Sequence, residues 1–263
     1  MAAPIIEKHL QPNDLILQDL GYFSLDWLEQ LIENKYVITR LKPGVHVFGT
    51  DGVKLDLASL LKKGKETDID VLAGAKKRLP MRLVARKLPK GEAQKRVREA
   101  RKDRHSRAAH SEEYYELLKY EIYLTNIPKE SVDGKGIAKL YGLRWHIEIL
   151  FKSWKSYGNF KALFEKNRMH LHRAKFTIYA ALAEFVYFQN YIFNFIQDKI
   201  EHGFGKHLSC LKFMDVVNDI FTYILNIESP YQLEKYIPLF KAKATYKKHS
   251  KRKNTMEKIP VCQ

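Results

Sequence analysis

The stretch IAKLYGLRWHIEILFKSWKS, Ile137 to Ser156, limits the fold more than any other part of the chain. Leu140, Leu143, Ile147, Leu150, Phe151 and Trp154 recur at three- and four-residue steps, which predicts one helix with a face buried against a core. Tyr141, Arg144, Trp145, Glu148, Lys152 and Lys155 follow the same steps on an adjoining face. An aromatic ring, a guanidinium, a carboxylate and two ammonium groups are thereby set side by side. Read from spacing alone, this is an amphipathic helix carrying the ion pairs Arg144–Glu148 and Glu148–Lys152, each contributing roughly 0.2–0.5 kcal/mol.

Upstream, Leu15 to Gln18 is a short apolar run ending at Asp19. Ser24 fits the N-cap of a helix over Leu25 to Asn34, and Tyr36 to Leu41 is a second β-rich run. The unit is strand, turn, helix, strand. It puts Asp19 at the carboxyl end of the first strand, where ligand sites of open α/β sheets lie, although an Asp in such a turn is also a common turn former. Val45 to Phe48 and Val53 to Leu57 straddle the hairpin signal Asp51-Gly52. Asp68 to Leu72 and Leu79 to Leu88 read as further strands, the latter alternating Leu79, Met81, Leu83 and Ala85 with basic Arg82 and Arg86. Together they predict a mainly antiparallel insertion, followed by a basic helical stretch, Lys90 to His110. Glu121 to Asn126 is a short strand returning toward the long helix. Beyond Gly158, the runs Arg168 to Ile200 and Leu208 to Asn226 and a short helix Tyr231 to Tyr236 predict an all-helical region. His170 and His172 have no third ligand nearby and read as surface or phosphate-facing groups.

Composition narrows the function classes. With 263 residues, 45% of them hydrophobic, the chain can bury a core. Cys210 and Cys262 form neither a disulfide framework nor a zinc spacing, and they suit a reduced cytoplasm. No signal-peptide run opens the sequence. Ala174 to Ile196 is long enough to span a membrane, but Lys175, Glu184, Gln189, Asn190 and Asn194 interrupt it, so the expectation is a buried helix and no membrane partner. The net charge of +16 is localised: Lys76 to Arg107 carries 14 Lys/Arg against three acids, and Lys241 to Lys253 carries seven more with none, leaving about −2 for the remainder. Two separate basic patches point to an extended anionic partner, with phosphate backbone the expected one.

Tyr141, Arg144, Glu148 and Lys155, with two, three and six residues between them and the last three inside RWHIEILFKSWK, resemble the signature of the insertion-sequence-4 family of bacterial DDE transposases. DLGYFS, which begins at Asp19, resembles the segment of that family that carries its second catalytic Asp. The resemblance implies an α/β fold: an incomplete ribonuclease-H-like core with a β-rich insertion and a helical carboxyl-terminal region. It implies a core over residues 1–41, an insertion over 42–113, a core strand and signature helix over 114–160, a helical region over 161–240 and a basic tail over 241–263. It further implies a two-Mg²⁺ site with Asp19 and Glu148 as catalytic metal ligands, and Tyr141, Arg144, Lys152 and Lys155 on DNA phosphates. Arg144 would grip a phosphate or orient Glu148; Trp145 is either core or a platform for a base. The family's first acid lies on a strand upstream of the second, and 18 residues precede Asp19. The expectation is therefore a truncated or split transposase of the prokaryotic cytoplasm, inactive alone, which pairs with itself or with an amino-terminal transposase fragment. The alternative is a non-catalytic DNA-binding remnant or a regulator of transposition.

Overall fold

Six strands form one sheet in the order β1-β2-β6-β5-β4-β3, with β1 (Leu15–Gln18) parallel to β2 (Tyr36–Arg40) and every other neighbouring pair antiparallel. The remaining strands are β3 (Val47–Phe48), β4 (Glu66–Ala73), β5 (Leu79–Lys87) and β6 (Tyr120–Thr125). The computed structural model describes residues 8–64, 66–102, 111–157, 171–224 and 229–246. They fall into two compact units that divide between Arg144 and Trp145.

In the first unit, helix α1 (Leu25–Ile32) makes the crossover between the parallel strands. Ser24 caps it by accepting from the Trp27 N–H, as its sequence position predicts. The expected strand Val53 to Leu57 shrinks to a bridge between Phe48 and Lys54. Asp56 accepts from Ser59 N at 3.0 Å and starts helix α2 (Leu57–Lys62), so a cap overrides the β pattern. Helices α3 (Lys90–Lys102) and α4 (Glu112–Leu117) follow β5, and residues 103–110 of the predicted basic helix lie outside the described set.

The period-2 alternation sorts side chains to two faces. Leu28, Leu31, Val37, Leu61, Leu83 and Leu124 pack on one face together with α1 and α2. Ile38, Val84, Tyr123 and Ile127 pack on the other with Ile137 and Tyr141 of helix α5 (Gly134–Gly142). The strands of the β-rich stretch continue the same sheet, because β6 pairs with both β2 and β5.

Arg82, one of the two basic residues in the alternation of β5, is buried. It is 4% exposed, donates to both oxygens of Asp68 at 2.7 Å, and donates from Nη1 to the carbonyls of Ile127 and Val132 at 3.1 and 2.8 Å. A guanidinium is buried here because a carboxylate and two carbonyls take up its donors.

The predicted single helix over Ile137–Ser156 is two helices, α5 and α6 (Trp145–Tyr157). Leu143 N and Arg144 N donate back three residues, to Leu140 O and Tyr141 O, which tightens and ends the turn after Gly142. A glycine costs about 1 kcal/mol in a helix interior, so the break falls where propagation is weakest.

The second unit is helical. Helix α7 (Leu171–Tyr187) runs through a π-helical turn, Phe188–Phe193, into α8 (Asn194–Phe204), and is followed by α9 (Cys210–Asp219), α10 (Phe221–Ile224), a 3₁₀ turn at Pro230–Tyr236 and α11 (Ile237–Lys243). Phe188, Ile192, Ile196, Ile200, Phe213 and Phe240 form its core. The stretch expected to be a buried helix is one-sided: Phe176, Tyr179 and Tyr191 are 74, 67 and 63% exposed. No helix among the described residues is long and apolar enough to cross a membrane.

Candidate active site

Asp19 follows β1 directly, with extended backbone, and opens a 3₁₀ turn at Leu20–Tyr22. Its carbonyl accepts from Tyr22 N at 3.0 Å. Gln18 beside it is 5% exposed and donates from Nε2 to Tyr22 O at 2.6 Å, so the turn is pinned from below. The Asp19 side chain makes no capping hydrogen bond and is half-exposed. It faces the side of the sheet covered by α5, because it continues the alternation of Leu15 and Leu17.

Two residues of the predicted signature reach this strand end. Tyr141 Oη donates to Gln18 O at 3.3 Å, and its ring, 4% exposed, lies 5.1 Å from that of Tyr123. Burial pushes the Tyr141 hydroxyl above its ordinary pKa, so it remains a hydrogen-bond donor through the neutral range. Arg144 places Nη1 3.4 Å from Asp19 Oδ1. The short turn that ends α5 sets this geometry, because it carries Arg144 back over Tyr141, whose ring centroid is 5.6 Å from the guanidinium.

Asp19 suits a hard cation such as Mg²⁺: its donors are carboxylate oxygens, and its half-exposure leaves room for the waters that Mg²⁺ retains. Among the described residues, no group of three His, Cys, Asp or Glu side chains gathers to hold a metal.

The other signature residues lie on α6 in the second unit. Trp145, Glu148 and Lys152 line one cleft there with Ile149, Ser209, Leu211 and Tyr246. Trp145 is 52% exposed, so it is not a core residue. The side chain of Lys155 lies outside the described residues. Of the histidines at the start of α7, His172 is exposed, and His170 lies outside the described residues.

Three arginines, Arg40, Arg86 and Arg96, gather around Glu121, and the sequence reading gave none of these four residues a role in the site. Arg40 ends β2, and its guanidinium is 5.7 Å from the Tyr141 ring centroid, so Tyr141 meets a cation from each neighbour. Glu121 on β6 receives Arg86 Nη2 at 2.7 Å and lies within 4 Å of Arg40 and Arg96. The strand pattern carried the signal: Ile38 and Arg40, like Val84 and Arg86, are two residues apart and share a face.

The family model of the transposase DDE domain matches residues 2–182, which include Asp19 and Glu148. The chain is 33% identical to the transposase for insertion sequence element IS231F of Bacillus thuringiensis subsp. israelensis, over 56% of this chain and 35% of that one. It is 34% identical to the IS231E transposase of B. thuringiensis subsp. finitimus, with the same coverage, and 29% identical to the IS1151 transposase of Clostridium perfringens, over 57% of this chain and 37% of that one. The chain thus spans about a third of the length of the curated relatives it matches. No solved structure matches it.

Proposed function

The chain belongs to the transposase DDE-domain family, and from that premise we propose that it binds the double-stranded DNA ends of an insertion sequence and carries two of the acids that cut them. Asp19 and Glu148 are those acids, and Tyr141, Arg144, Glu148 and Lys155 are the insertion-sequence-4 type signature. The observation that carries the reading is the docking of Arg144 and Tyr141 on the end of β1, more than a hundred residues away in sequence, where Asp19 stands. The parallel pair β1 and β2 with its α1 crossover is what a partial ribonuclease-H-like core requires, and it supports that assignment.

Bound Mg²⁺ would supply a deprotonated attacking oxygen and neutralise charge at the scissile phosphate. The chain's own residues do the rest. Arg144 restricts the Asp19 carboxylate to one orientation and adds positive charge beside it. Tyr141 fixes the strand end through the Gln18 carbonyl. Lys152 and Lys155 give point charges to the DNA backbone, and Trp145 gives an exposed ring on which a base can stack. A DDE site uses three acids, and two are assigned within these 263 residues. The chain by itself therefore binds DNA without cutting it.

The test is an Mg²⁺ cleavage assay on DNA carrying the element's ends, with this chain alone and with a polypeptide carrying the first acid added. Binding by the chain alone, with strand cleavage only on addition, is the expected result. Binding without cleavage in both conditions identifies a DNA-binding remnant. Cleavage by the chain alone that persists in Glu148→Gln contradicts the assignment.

A further inference from the structure

Glu121 is 12% exposed and has three guanidiniums around it: Arg86 Nη2 at 2.7 Å from Oε2, and Arg96 Nη2 and Arg40 Nη2 at 3.6 and 3.9 Å from Oε1. One carboxylate offers about four lone-pair sites, and each guanidinium has five donors, so Glu121 leaves most of them unused. Glu92 takes a further share of Arg96 at 3.3 Å. Arg40 Nε is buried and makes no hydrogen bond among the described residues. An orphaned buried donor is costly, and an anion beside it would remove that cost.

Arg40, Arg96 and Glu121 border a cleft of about 360 Å³ at the end of the sheet, which Lys42, Lys54 and Glu113 also line. Counting Arg86 and Glu92 as well, five cations face three carboxylates, an excess of two positive charges. Three arginines brought onto one largely buried carboxylate from two strands and a helix form a preorganised set of forks, the geometry that suits phosphate oxygens.

We propose that Arg40 and Arg96, tethered by Glu121, form a phosphate-binding site separate from the Asp19 and Glu148 assignments. The Arg144 and Arg40 guanidiniums lie 5.6 and 5.7 Å from the Tyr141 ring centroid, so a strand with one phosphate near Arg144 has a further cationic partner close by at Arg40. In taking the DNA backbone as the source of the phosphate, this inference rests on the proposed function; affinity for phosphate itself does not.

The experiment measures binding of a short DNA duplex to the full chain against salt, and its competition by inorganic phosphate at ionic strength matched with chloride. Arg40→Gln and Arg96→Gln each weaken DNA binding on the order of tenfold and lower the salt slope by about 0.9, one phosphate contact. Arg98→Gln, an equal charge change at an exposed position of the same helix, has the smaller effect. Inorganic phosphate competes better than chloride against the wild type and loses that advantage in Arg96→Gln. Arg96→Lys, which keeps the charge but not the fork, falls between and guards against misfolding of the glutamine variant. All these measurements are made without divalent cation, where the metal assignments play no part, so failure of those assignments is separable from failure of this site. Loss of phosphate competition with unaltered DNA affinity means a free phosphate ligand and overturns the strand path. Equal effects of Arg96→Gln and Arg98→Gln, or no effect of either site arginine, overturn the site.

Discussion

Arg82 shows how one buried charge can shape a distant site. Its four hydrogen bonds join β4, β5 and the Ile127–Val132 loop that leads into α5, the helix that places Tyr141 and Arg144. The hydrogen bonds from Arg82 hold the Asp68 carboxyl below the ordinary carboxylate pKa of 3.8, against the opposing effect of burial. A depressed folded pKa means that the pair's contribution is fully present above about pH 4 and is lost as pH falls through the lower folded value. Arg82→Met, which strands Asp68 and two carbonyls, is expected to cost about 3 kcal/mol in urea unfolding at neutral pH. Asp68→Asn is expected to be destabilised at neutral pH and to flatten the loss of stability below pH 4. An Arg82→Met protein as stable as the wild type would show that the clasp is dispensable.

At the scale of elements, α5 positions the site, and its start packs closely on the sheet. A Cβ at Gly134 would meet Val84 Cγ1 at 3.2 Å and Asp68 Oδ2 at 3.3 Å, so the helix begins almost in contact with the sheet. Asp133 caps it by accepting from Gly136 N at 2.7 Å, and Ile137 is fully buried one turn later. Ile137→Ala is expected to cost about 2–5 kcal/mol in thermal or urea unfolding and to weaken DNA binding through Tyr141 and Arg144. A cost under about 1 kcal/mol would mean that α5 is not anchored there.

Much of this level was legible in the sequence. Asp19 at the end of Leu15–Gln18, the Ser24 cap and the strands at 36–40 and 120–125 follow from alternation and capping, which are local. The break at Gly142 was not, because the apolar periodicity continues across it. Only the turn's hydrogen bonds and the docking of Arg144 on Asp19 reveal it. The Glu121 cluster was hidden for a similar reason: strand register brings Arg40, Arg86 and Glu121 together, and Arg96 joins them from helix α3.

At the scale of the molecule, a net charge of +16 favours an extended anion, and in the proposed reading the sheet end selects where a phosphate sits. The described residues form two compact units, with Asp19, Tyr141 and Arg144 in the first and Glu148 in the second. The central claim is that Asp19 and Glu148 are metal ligands, and Mn²⁺ binding followed by electron paramagnetic resonance tests it without requiring cleavage. The full chain is titrated as wild type, Asp19→Asn and Glu148→Gln, with each variant's fold verified by circular dichroism. Each substitution is expected to weaken Mn²⁺ binding by about tenfold or more, as loss of a hard-oxygen ligand does. Wild-type Mn²⁺ affinity in both folded variants would contradict the account.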